Sequence, residues 1–174
     1  MNLQEKCSEI KAIVLDVDGV LTDGRIGYSG ASGDEMKFFD VRDGLGVKMA
    51  MRAGLKAGIL SGRKSLANAV RAKELELDFI YQGYRDKKEG FLQLLQDLNL
   101  TGSECFYIGD DLIDLPPMRL CGVSAAVGDA VPELDKIADF RTKSRGGRGA
   151  VREAIEWLLK ERGQWQDVIK KYMD

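Results

Sequence analysis

Two aspartates stand two residues apart in Asp16-Val17-Asp18-Gly19-Val20-Leu21-Thr22, at the end of the apolar run Ala12–Asp16. In an extended chain, side chains at i and i+2 point the same way, so both carboxylates can face one site. An Asx turn closing the strand is the alternative reading. A second acidic group, Gly109-Asp110-Asp111 with Asp114 three residues on, follows the run Cys105–Ile108. Adjacent carboxylates repel and need a cation or donors beside them. Four carboxylates on two strand ends suit a hard-oxygen Mg²⁺ site that also takes waters and a substrate phosphate; a polar cap on a helix at 114–120 is the other possibility. Ser61-Gly62-Arg63 follows Ala57–Leu60 and precedes a helix. A hydroxyl with free backbone N–H groups there makes an anion site, or simply an N-cap. The P-loop spacing is absent, since Arg63 stands where its lysine would. Lys87, after Tyr81-Gln82-Gly83 and just before a helix, can neutralise a phosphate at the mouth of a sheet or can be a solvated surface lysine.

Composition narrows the chemistry. The 174 residues include no histidine, which excludes a Ser-His-Asp triad, a Cys-His pair and His-ligated zinc. Acid–base work near neutral pH falls to carboxylates, lysine, tyrosine or cysteine. Cys7, Cys105 and Cys121 are three scattered thiols with no C-x-x-C, read as reduced. The net charge of −2 gives no argument for nucleic acid. No apolar run reaches membrane-spanning or signal-peptide length, so no membrane association and a cytoplasmic location are expected.

Positioning these groups requires an alternating chain. Buried strands are expected at Ala12–Asp16, Ala57–Leu60, Asp78–Tyr81, Cys105–Ile108 and Val123–Val127. Helical patterns lie between them at 44–53, 65–76, 88–98 and 114–120. This alternation predicts one α/β domain over 1–174, a parallel sheet with helices on both faces. Val151, Ala154, Ile155, Leu158 and Leu159 recur at helical spacing and predict a last helix, followed by a tail at 161–174 whose residues 164–174 add either a short helix or a loose end. One segment breaks the pattern: short strand-like runs at Arg25–Tyr28 and Glu35–Phe39 flank Ser29-Gly30-Ala31-Ser32-Gly33. They predict a β-hairpin inserted over 24–39, straight after the first strand.

The order D-x-D-G, S-G-R, K, G-D-D-x-x-D, each at a strand end, resembles the haloacid dehalogenase-like phosphohydrolases. Asp40–Gly44 (DVRDG) and Gly146–Glu153 (GGRGAVRE) narrow the resemblance to the branch that removes phosphate from 3-deoxy-D-manno-octulosonate 8-phosphate, an eight-carbon sugar acid of lipopolysaccharide synthesis. The resemblance implies a three-layer, Rossmann-like core without a cap domain. It makes Asp16 the nucleophile that forms an aspartyl-phosphate, and Asp18 the general acid/base. Ser61 and Lys87 hold phosphoryl oxygens. Asp16, Asp18 and Asp110 hold Mg²⁺, with Asp111 and Asp114 orienting them. Asp40, Val41, Arg42, Asp43, Gly44 and Gly62 line the substrate pocket, and Arg63 and Arg71 meet the sugar acid's carboxylate. Ser61 stands where threonine is usual, and Asp40 where asparagine is common. A homotetramer in which hairpins cover neighbouring active sites is implied, with Arg145–Gly149 as a segment that closes over substrate. The alternatives are a nine-carbon sugar-acid 9-phosphate as substrate, a receiver-like phospho-signalling domain, and a catalytically silent subunit. A receiver carries its phospho-acceptor after the third strand, where this chain has Tyr81-Gln82-Gly83.

Overall fold

Strand β1 (Ala12–Leu15) is buried along its whole length. Its alternate residues feed two cores, Ile13 and Leu15 on one face and Ala12 and Val14 on the other. That explains why it reads as a continuous apolar run rather than an alternating one. In the computed structural model, which describes residues 1–31 and 33–173, β1 lies between two parallel neighbours, β4 (Lys56–Ser61) and β6 (Cys105–Gly109). Leu15 is in register with Ile59 on one side and Ile108 on the other. Adding β5 (Phe79–Gln82), β7 (Val123–Ala126) and β8 (Phe140–Arg141) gives the order β5-β4-β1-β6-β7-β8, every pairing parallel.

The chain builds outward from β1 to β4 and β5, then returns to lay β6 against β1. The crevice of such a sheet opens where the order reverses, beyond the carboxyl ends of β1 and β6. Asp16 and Asp110 are the residues that leave those two strands.

Helices cover both faces. On one, α2 (Val41–Arg52) packs against α6 (Ala150–Glu161), whose apolar stripe Val151, Ala154, Ile155, Leu158 and Leu159 is fully buried, as its spacing predicts. On the other, α4 (Lys87–Leu98) and α5 (Leu115–Leu120) contribute Phe91, Leu94 and Met118 to the second core. Helix α3 (Leu66–Glu74) follows β4. The hairpin is present as β2 (Gly27–Ser29) and β3 (Asp34–Met36), with Tyr28 paired to Glu35. Ser32, at its expected tip, lies outside the described residues, as does Asp174 of the expected tail.

Two elements were not expected from the sequence. Helix α1 (Leu3–Glu9) is closed by a reciprocal cap between Asn2 and Glu5, a signal present in the sequence. The two-residue edge strand β8 is too short to show a pattern. In the tail the short helix, one of its two readings, is present: α7 (Trp165–Lys170) packs on α6, with Arg152 and Lys160 near the face of Trp165. Cys7 and Cys105 are buried, and all three cysteines are free.

Candidate active site

Beyond β1 the chain turns sharply through Val17–Leu21, with non-helical backbone at Asp18 and Gly19. Gly19 has φ +93°, and a Cβ there would overlap the Asp110 carboxylate. Only glycine allows both the left-handed backbone and this approach. The turn is stapled by the buried Thr22 hydroxyl. It accepts from the N–H groups of Gly19 (3.3 Å) and Gly24 (3.2 Å) and donates to the Val17 carbonyl (3.3 Å).

Lys87, the first residue of α4, projects into the sheet with no exposed side-chain surface. Its Nζ lies 2.7 Å from Asp16 Oδ1 and 2.6 Å from Asp114 Oδ1. A buried ammonium needs such anionic partners. Burial pushes its pKa down, but Asp16 and Asp114 outweigh it and leave it above the ordinary lysine value. Asp114 is fully occupied. The Tyr107 hydroxyl donates to its Oδ1 (2.7 Å), and the backbone N–H groups of Asp110 (3.0 Å) and Asp111 (3.3 Å) donate to Oδ2. Asp111 is exposed and caps the short turn Leu112–Asp114 through Leu112 N–H.

Asp16, Asp110 and Asp114 each place a carboxylate oxygen within 4.8 Å of the others. Burial, reinforced by the neighbouring carboxylates, raises the pKa of both Asp16 and Asp110. With Asp114 committed to four donors, Asp16 and Asp110 are left as hard oxygen ligands without enough positive charge, a donor set that suits Mg²⁺ rather than a softer ion. The adjoining cavity, about 290 Å³, is lined by Asp16, Asp18, Gly62, Arg63, Asp110 and Asp111 among others. Ser61 ends β4, buried, its Oγ accepting from Arg63 N–H (3.3 Å).

A family model described as haloacid dehalogenase-like hydrolase matches residues 55–155. The chain belongs to the haloacid dehalogenase-like hydrolases. Within them it is similar to the 3-deoxy-D-manno-octulosonate 8-phosphate phosphatase KdsC of Escherichia coli K12, 43% identical over 91% of this chain and 84% of that protein. It also matches the crystal structure of the Moraxella catarrhalis phosphatase of the same name, in complex with magnesium, phosphate and KDO. That likeness has a TM-score of 0.92 and 38% identity, and covers 97% of each chain. The cobalt-bound deoxy-D-mannose-octulosonate 8-phosphate phosphatase of Haemophilus influenzae gives 0.90 and 37%, covering 97% of this chain and 99% of that one. This hydrolase therefore has the fold its motif order implied, and the receiver-like alternative loses its ground.

The expected substrate residues do not all converge on the carboxylate cavity. Arg63 and Gly62 do, and Arg63 also pairs with Glu35 of the hairpin, holding that carboxylate below its usual pKa. Arg71 lies in a separate cavity of about 590 Å³ between the hairpin and α3. There it pairs with Glu74 (3.1 Å) and sits 5.6 Å from the Phe39 ring centre. Asp40 and the exposed Val41 border a third cavity with Gly147 and Arg148. Asp40 caps α2 through Arg42 N–H (2.8 Å) and pairs with the Arg42 guanidinium (2.7 Å). Asp43 is buried and turned the other way, accepting from Gly149 N–H (3.2 Å) and Arg152 N–H (2.8 Å) at the start of α6. Gly44 packs against Arg71 and Leu75. The two branch motifs thus dock on one another: Arg42 donates to the Arg148 carbonyl (3.1 Å) while Asp43 caps α6.

Three residues of the site escaped the sequence reading. Tyr107 sits inside an apolar strand, and its need for a buried partner was the signal. Lys37 donates to Asp18 Oδ1 (2.7 Å) and to Asn68 Oδ1 (3.0 Å). Neither Lys37 nor Asn68 belongs to a motif.

Proposed function

We propose that this chain is a Mg²⁺-dependent phosphomonoesterase that hydrolyses 3-deoxy-D-manno-octulosonate 8-phosphate through an aspartyl-phosphate on Asp16. The observation that carries the reading is the Asp16–Lys87–Asp114 relay beside Asp110 at the switch point of the sheet. The substrate comes from the likeness to relatives bearing that activity in their names.

In this reading Asp16 attacks phosphorus while Lys87 fixes the carboxylate's orientation through Oδ1. Asp18 protonates the leaving sugar oxygen and then deprotonates the attacking water. Ser61 and Lys87 hold phosphoryl oxygens as charge spreads in the transition state. Asp16, Asp110 and the Asp18 backbone carbonyl would hold Mg²⁺, which would supply charge neutralisation beside the phosphate. Asp111 and Asp114 orient that set. Arg63, beside the carboxylates, is the stronger candidate for the sugar acid's carboxylate, and Arg71 reaches the substrate only across the hairpin cavity.

The reading extends to a single working unit over 1–174, to the cytoplasm, which free thiols favour, and to a homotetramer. Tyr28 (64% exposed) and Phe38 (78%) on the hairpin segment offer an apolar surface for neighbouring subunits. No described helix is long and apolar enough to cross a membrane.

Purified protein should release phosphate from the eight-carbon substrate with Mg²⁺, lose turnover with a chelator, and regain it when Mg²⁺ is restored. Asp16→Asn should lower kcat by about 10³-fold or more. Full turnover by that variant would end the assignment, and a higher kcat/KM for the nine-carbon 9-phosphate would move the substrate.

A further inference from the structure

The two carboxylates of Asp16-Val17-Asp18 are held by two different lysines. Asp16 is held by Lys87 from α4 (2.7 Å) and Asp18 by Lys37, one residue beyond β3 of the hairpin (2.7 Å). Both lysine side chains are entirely shielded from solvent. Lys37 is itself fixed from a third direction. Its Nζ donates to Oδ1 of Asn68, a buried residue of α3, at 3.0 Å, and Glu35 lies 3.9 Å away. The second ammonium thus gathers the catalytic turn, the hairpin and α3 around one oxygen of Asp18.

From this geometry we propose that Lys37 and Asn68 are positioning residues for Asp18. Lys37 clamps Oδ1, so Oδ2 is the oxygen that carries the proton to and from the reacting atoms, and Asn68 keeps Lys37 in place. The inference rests on the aspartyl-phosphate reading and adds to it the part played by the hairpin inside its own subunit. In the first half-reaction the Asp16 oxygen bonds to phosphorus, the bond from phosphorus to the leaving oxygen breaks, and the Asp18 proton passes to that oxygen. In the second, a water oxygen bonds to phosphorus, its proton passes to Asp18, and the Asp16–phosphorus bond breaks. A carboxyl free to rotate would offer the wrong oxygen part of the time, and proton transfer is sensitive to such misplacement. An ammonium bonded to one oxygen and anchored by a buried amide removes that freedom. Lys37→Met keeps the side-chain length and loses the clamp.

The test separates proton donation from substrate binding by using leaving groups with no sugar. Substituted phenyl phosphates, from p-nitrophenyl to unsubstituted phenyl, are compared by kcat/KM in wild type, Lys37→Met, Lys37→Arg and Asn68→Ser. p-Nitrophenolate leaves without a proton, whereas phenolate needs one. Lys37→Met should lose about 10- to 100-fold on phenyl phosphate but less than about threefold on p-nitrophenyl phosphate, steepening the dependence on the leaving group. Lys37→Arg should recover most of that loss, and Asn68→Ser, which leaves the ammonium but loosens it, should steepen the dependence by a smaller factor. An equal loss across the series would make Lys37 a phosphate ligand, and no loss would make it a structural ion pair; either overturns the proposal. A wild-type protein that releases no phosphate with Mg²⁺ from these esters or from the eight-carbon substrate would instead overturn the phosphatase reading.

Discussion

Asp43 was singled out by its motif as a pocket residue, yet its carboxylate is buried at the start of α6, where two backbone N–H groups donate to it. Burial raises its pKa to about 6, the two hydrogen bonds offsetting only part of the shift. Because the folded value lies above the unfolded one, the folded state binds the extra proton between about pH 4 and pH 6. The ionised group therefore weighs against folding above that window, and acidification through it relieves the penalty. Wild type should gain up to about 3 kcal/mol relative to Asp43→Asn between pH 7 and pH 4. Urea unfolding of both proteins across that range reads the difference, in which the titrations of Asp16 and Asp110 cancel. A constant difference would mean that Asp43 is not strained by burial. The strand-end positions of Asp16 and Asp110 were legible in the sequence, whereas the burial of Lys87 was not, because its partners Asp16 and Asp114 lie far along the chain. Asp43 was not, because what a carboxylate caps 106 residues away leaves no mark on its neighbours, and the same holds for Lys37 and Asn68.

Among the elements, the glycine-rich Arg145–Gly149 segment is the one whose expected closing motion meets a packed arrangement. Gly146 N–H donates to Asp129 Oδ1 (2.9 Å) and Gly147 N–H to the Val20 carbonyl (2.9 Å). A Cβ at Gly146 would overlap the Gly19 carbonyl. The segment thus backs the turn that carries Asp18. Gly146→Ala should push that turn, lowering kcat by about tenfold or more with a stability loss of about 1–3 kcal/mol. Turnover assays beside thermal melts check this, and wild-type kcat would show that the turn does not depend on its backing. Buried strands such as β4 and β6 were readable because both their faces are apolar. Helix α1 was not, since only Cys7 of its residues is buried and a helix with so little buried surface shows no stripe.

For the whole molecule, the order β5-β4-β1-β6-β7-β8 explains how four separated motifs come together in space: the reversal beside β1 brings the ends of β1 and β6 side by side, and Lys87 enters beneath them from α4. The same architecture leaves the carboxylate cavity open, and the insertion after β1 is a hairpin rather than a domain. Closure by neighbouring subunits follows from the tetramer reading. Light scattering should give four chain masses, and Tyr28→Asp with Phe38→Asp should lower that mass while raising KM. A monomeric wild type with full activity would remove the hairpin's role between subunits. The account as a whole is tested most directly by a crystal structure grown with Mg²⁺ and fluoroberyllate, a mimic of the phosphoryl group. It predicts beryllium bonded to an Asp16 carboxylate oxygen, with the fluorines facing Lys87 and Ser61. Beryllium on Asp110 or Asp18, with Asp16 free, would contradict it.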